Sequence, residues 1–242
     1  MAGVLSGRRP ALPIRPELAV SHVAVARASE VPDPASGGSR AAALRAWQRP
    51  PPSPISVRSG TFKALMTATT IANALQRVRT VFARRPEAAI HAEEPAIARW
   101  EQGLRVVSRH ANGAHIATDM PRELGGQGED VTPGWLLRAA LASCLATRIA
   151  MEAAARDIVI TRLEVVAASE SDARGLLGMT DGAGERVSPG PRAVQLRISI
   201  SAPNVAVETL RTMIEESHHC SPVQVALERP VPVSLRIDID PV

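Results

Sequence analysis

Two cysteines carry the most distinctive chemistry in this 242-residue chain. Cys144 lies in the run Ala-Leu-Ala-Ser-Cys-Leu-Ala-Thr, and Cys220 stands far downstream in His218-His219-Cys220-Ser221-Pro222. On residue type alone, both read as small buried hydrophobes. As a redox pair they would require Cys144 to become a thiolate, which an apolar helix disfavours, so a cation must be brought to it from elsewhere in the fold. Arginine suits that task because it does not lose its proton. The candidates are Arg105 above all, with Arg99 and Arg109 behind it, and spacing alone does not choose between them.

Rival chemistries fit these residues less well. His218, His219 and Cys220 are consecutive, so their side chains diverge, and no C-x-x-C or H-x-x-x-H pair closes a tetrahedral site. Neither a metal nor another cofactor is expected. The loop Gly125-Gly126-Gln127-Gly128 lacks the Gly-Lys-Ser/Thr ending of a phosphate cradle and reads as a turn device. No Gly-x-Ser-x-Gly is present, so a hydrolase triad has no support.

Composition narrows the partners. The chain has no Tyr, two Phe and three Trp, which leaves no aromatic platform on which bases could stack. Residues 1–65 carry nine of the 28 basic and three of the 24 acidic side chains, so that stretch is +6 and the remainder is −2. The folding part is thus close to neutral, and nucleic acid is not an expected partner. The longest apolar stretch, Trp135 to Met151, is crossed by Arg138 and Arg148 and is too short to span a bilayer, so no membrane is expected either.

The elements that must position the cysteines follow from punctuation and period. Residues 1–65 hold nine of the 20 prolines and read as a disordered leader or an upstream extension, with the functional start at Met66. Residues 66–89 form an amphipathic helix on Ile71, Leu75, Val78 and Phe82. Residues 90–242 make the main domain. Strands are expected at Ala96 to Trp100, Leu104 to Ser108 and Ala114 to Thr118, with a turn at Asn112-Gly113. Thr132-Pro133 then opens a helix to about Ala155 that is apolar on nearly every face, and so central and buried. Further strands are expected at Val159 to Ala168, Val194 to Ser201 and Val231 to Ile239, with helices from about Val205 to Glu216 and Pro222 to Leu227. The fold class is α+β.

The stretch from Glu123 to Cys144, with its Gly-Gly, Pro and Leu-Leu-x-Ala-Ala-Leu-x-x-Cys pattern, resembles the signature of the osmotically inducible protein C and organic hydroperoxide resistance (OsmC/Ohr) superfamily. Cys220-Ser-Pro-Val is similar to its second-cysteine motif, and Gly175-Leu-Leu-Gly-Met to members of the OsmC branch. The resemblance implies an antiparallel sheet wrapped around a long buried central helix in an intertwined homodimer, with active sites at the interface. It implies a cytoplasmic thiol peroxidase of oxidative stress defence. Cys144 would attack an organic hydroperoxide, Cys220 would resolve the sulfenic acid to a disulfide, an external dithiol would reduce it, and Arg105 would hold the thiolate.

One position departs from the pattern. Family peroxidases place a Glu after the helix-opening Pro to bind the catalytic Arg, and here Gly134 stands there, with Glu129 or Asp130 as substitutes in the preceding loop. A non-enzymatic relative that binds an apolar ligand, or acts as a slow redox sensor, is the alternative. Because residues 1–65 lack a periodic apolar face, removing them is expected to leave the melting temperature of the protein unchanged. A drop of many degrees would show that they pack on the rest.

Overall fold

The structure is a computed structural model that describes residues 60–229 and 231–240. The expected leader lies outside these residues as far as Arg58 and Ser59. Helix α1, Gly60–Arg84, begins six residues before Met66, because Lys63, Ala64 and Leu65 continue a run of good helix formers. Its face divides along its length: Ile71 and Leu75 are half-buried, whereas Val78, Val81 and Phe82 are exposed.

A three-stranded antiparallel meander follows, β1 (Ile97–Gln102), β2 (Arg105–Arg109) and β3 (His115–Thr118). Gly103 turns β1 into β2 with φ +54, and the Trp100 indole donates to its carbonyl at 2.8 Å. The Asn112-Gly113 turn forms as expected, with Gly113 at φ +91 and the Asn112 side chain accepting from the Ala114 amide. A bridge from Thr118 to Val131 then closes a loop on itself just before the next helix.

Helix α2 spans Pro133–Ala155, as its opening residues foretold. The Thr132 hydroxyl accepts from the Trp135 amide, and Pro133 takes the first helical position, where no amide is needed. Strands β4 (Arg162–Ser171) and β5 (Pro191–Ser201) pair antiparallel over their whole length, linked by a loop that includes the short helix α3 (Ala173–Leu176). Helices α4 (Val207–His219) and α5 (Pro222–Glu228) complete the described elements. The expected strand at Val159 starts later, because Asp157 turns the chain at φ 56 and the Ile158 amide returns to the Ala153 carbonyl.

The core lies where one stripe of α2, Leu145, Ile149 and Ala153, meets Met213 of α4 and the apolar faces of β4 and β5. Within the single chain, burial falls on one stripe of the helix rather than on nearly every face. Only the stripe from Leu141 to Ala154 is buried, while Trp135 and Leu137 stay exposed. Among the described residues, the strands form two separate antiparallel sheets. The run Val231–Ile239 is not a strand in this chain. It has no ladder partner, and Val233, Leu235 and Ile239 are 91%, 84% and 82% exposed.

Leu145 is fully buried at the centre of this packing. Leu145→Ala is expected to cost about 2–5 kcal/mol, read from the shift of a denaturant midpoint, and an unchanged midpoint would show that the core lies elsewhere.

Candidate active site

Cys144 flanks the buried stripe rather than joining it, and is half-buried. The group against it comes from the junction of α4 and α5. There Cys220 caps α4 and Ser221 stands before Pro222, the first residue of α5. Ser221 is fully buried, and its hydroxyl donates to Cys144 Sγ at 3.4 Å. Cys220 is exposed with a free thiol. Among the described residues, then, the side chain brought to Cys144 is Ser221, one residue after the cysteine that the sequence analysis singled out. The sequence held only a weak signal for it, since a Ser before a Pro reads first as a helix cap. Here no side-chain cap bond forms at Ser221, in contrast to Thr132.

Arg105 belongs to a second cluster, at the loop that precedes α2. It opens β2, is 37% exposed at its side chain, and donates from Nε to Asp130 Oδ2 at 3.0 Å and from Nη1 to Glu101. Of the two carboxylates considered as substitutes for the missing Glu, Asp130 is the one in contact with Arg105. Arg99 and Arg109 form no ion pair among the described residues.

Asp119, which the sequence analysis missed, holds the loop that carries Asp130. It is 2% exposed and accepts from the amides of Met120, Gln127 and Gly128 at 2.7, 2.7 and 3.0 Å. Burial alone would push its carboxyl up, but these three amides and the Arg105 charge together hold it below the ordinary carboxylate range. The Gly-rich loop is what allows the amides to converge. A Cβ on Gly126 would stand 1.8 Å from the Met120 carbonyl oxygen, so only glycine fits there. Gly134 is different, because the nearest atom to a Cβ there is Arg138 Nη1 at 3.7 Å, which leaves ordinary space.

Two cavities accompany the clusters. One of about 400 Å³ is lined by Leu104, Arg105, Asp119, Gln127, Glu129 and Asp130. The other, about 350 Å³, lies one turn from Cys144 along α2 and is lined by Leu141, Val194, Leu196, His218, Gln224 and Leu227. Neither contains both Arg105 and Cys144. Asp130 precedes α2, and Cys144 lies eleven residues beyond Pro133, about 16 Å along the axis at 1.5 Å per residue. The hydrogen bonds of the Arg105 side chain go to Asp130 and Glu101, and the one at Cys144 comes from Ser221.

Asp119 makes the loop pH-sensitive. A carboxylate held below its unfolded value stabilises the fold above about pH 4 and loses that contribution as pH falls through the folded value. The melting temperature is expected to fall below about pH 4 in the parent chain, and Asp119→Asn is expected to flatten that part of the profile. Gly126→Ala is expected to lower the melting temperature at every pH. If it melts like the parent, the loop is not held as described.

Residues 126–236 match the family model for OsmC-like protein. None of the curated proteins matches the chain. Among solved structures, the chain is similar to an OsmC-like protein from Mycoplasma pneumoniae, with 17% identity over 57% of this chain and 89% of that one and a TM-score of 0.48. It is also similar to an OsmC-like protein from Vibrio cholerae, with 15% identity over 57% and 95% and a TM-score of 0.47. A third is an organic hydroperoxide resistance protein OsmC from Legionella pneumophila, with 19% identity over 57% and 91% and a TM-score of 0.40. The match over residues 126–236 takes in both Cys144 and the α4–α5 junction, and this part of the chain is similar to OsmC-like proteins.

Proposed function

We propose that this protein is a cytoplasmic thiol peroxidase that reduces organic hydroperoxides in oxidative stress defence. The observation that carries the reading is the setting of Cys144. Unlike Leu141 and Leu145 beside it, Cys144 is not sealed in the core, and it has a hydroxyl donor at its sulfur. A structural cysteine needs neither feature, whereas a nucleophilic thiolate needs both. The match of residues 126–236 to the OsmC-like family model points the same way.

In this reading the Cys144 thiolate attacks the terminal oxygen of the hydroperoxide. The S–O bond forms, the O–O bond breaks, and the alkoxide leaves and takes a proton from water. The sulfenic acid then condenses with the Cys220 thiol, releasing water and leaving a disulfide, and an external dithiol returns both cysteines to thiols. Because Ser221 fills the place opposite Cys144 in the reduced protein, resolution requires the α4–α5 junction to turn and bring Cys220 inward. The aliphatic walls of the 350 Å³ cavity suit the alkyl part of such a substrate.

The working unit in this reading is a homodimer. Arg105 bonds to Asp130 and Glu101 of its own chain, and in this reading its guanidinium serves the Cys144 of the second subunit. The unpaired apolar run Val231–Ile239 and the exposed Trp100 and Trp135 are surfaces that a second subunit would cover. The alternative is a non-enzymatic relative that holds an apolar ligand, and Gly134 together with the same cavity favours it.

Purified protein mixed with an organic hydroperoxide and a dithiol separates the two. Cys144→Ser is expected to abolish peroxide consumption, and Cys220→Ser is expected to complete one turnover and then accumulate over-oxidised Cys144, seen by mass spectrometry. With Asp130 already on Arg105, Asp130→Asn is expected to slow the reaction about tenfold, equivalent to about 1.4 kcal/mol, while Gly134→Glu changes it less than about threefold. A Cys144 that stays a free thiol in excess hydroperoxide would leave only the ligand-binding alternative.

A further inference from the structure

We infer that the Ser221 hydroxyl is the group that holds the Cys144 sulfur in its anionic, nucleophilic form. Three observations converge on it. Ser221 is fully buried, so its hydroxyl has no water to turn to. It stands at the start of α5, where a serine ordinarily accepts a bond from the helix amides, yet no such bond forms. The polar contact that its hydroxyl does make is donation to Cys144 Sγ at 3.4 Å.

A buried hydroxyl left without an acceptor costs free energy, and a neutral thiol is a weak acceptor. A thiolate is a strong one, so the same contact is worth more when Cys144 has lost its proton. The hydroxyl donates and keeps its proton, so no transfer is involved. Among the described residues, the hydrogen bond given at the sulfur is the one from Ser221. Arg138 and Arg148 on α2 are turned to Ser169 and Glu152, and His219 on α4 bonds to the Glu215 carbonyl. His218 on α4 lines the cavity a turn away, and Glu228 on α5 takes the Gln224 amide. On β4, Arg162 and Glu164 pair with each other.

The inference deepens the peroxidase reading by naming the donor at its nucleophile, but its test needs no hydroperoxide. In full-length protein carrying Cys220→Ser, Cys144 is the sole thiol, and its rate of alkylation by iodoacetamide is followed from about pH 5 to about pH 10. Adding Ser221→Ala is expected to slow alkylation about tenfold at neutral pH, with the rates converging at high pH. Ser221→Thr and Ser221→Val, two variants of the same shape, isolate the hydroxyl from packing. Thr is expected to retain the parent profile and Val to follow Ala. Equal profiles for Thr and Val, or a slowing by the same factor at every pH, would overturn the inference. If alkylation behaves as expected while peroxide is not consumed, the inference stands and the peroxidase reading fails.

Discussion

The packing of a single α2 stripe against β4, β5 and α4 determines where everything else falls. Leu145, Ile149 and Ala153 fix the rotation of the helix about its axis, so the neighbouring Cys144 is turned to the edge of the core. That rotation presents its sulfur to the α4–α5 junction. The junction is itself held by the buried Met213 and by Ser217, whose hydroxyl bonds back to the Met213 carbonyl. Farther along, Glu152 joins Arg148 to Arg156, and Arg156 reaches Glu216 of α4, so the same two helices are clamped beyond the cysteine. These contacts set where the junction falls in the reduced protein, with Ser221 against Cys144.

The opposite end of α2 is organised by charge rather than by apolar packing. Asp119 gathers three amides of the Gly-rich loop, and the loop in turn sets Asp130 against Arg105. Arg105 is therefore positioned from three sides, by Glu101, Asp130 and the nearby Asp119 charge. A guanidinium so surrounded has a fixed direction, which is what transition-state stabilisation asks of a cation. The proposed dimer supplies the remaining requirement, a second subunit whose Cys144 lies where that guanidinium can reach it.

Much of this was legible beforehand, and the failures share a cause. Thr132-Pro133 marked the start of α2, and Asn112-Gly113 marked the turn between β2 and β3, because both rest on local backbone chemistry. The buried face of α2 was hidden, since a helix apolar almost all round shows no period. Its uncovered faces, like the alternating residues Val231 to Ile239, carry an apolar pattern that this chain alone does not bury. Ser221 was passed over because capping explained it sufficiently, and only the geometry shows its hydroxyl turned to sulfur. Asp119 left no signal beyond the glycines that make room for its amides, and those were read correctly as a turn device.

The proposed site is shared between two subunits, and mixing two disabled chains tests that sharing most directly. Arg105→Ala protein and Cys144→Ser protein, each inactive alone, are unfolded together in equal amounts and refolded so that their subunits exchange. If Arg105 of one chain serves Cys144 of the other, the mixed dimer holds one intact site, and organic hydroperoxide reduction returns to about a quarter of the parent level per chain. Mixtures that stay inactive at every ratio, although the two chains are shown to associate, would contradict it.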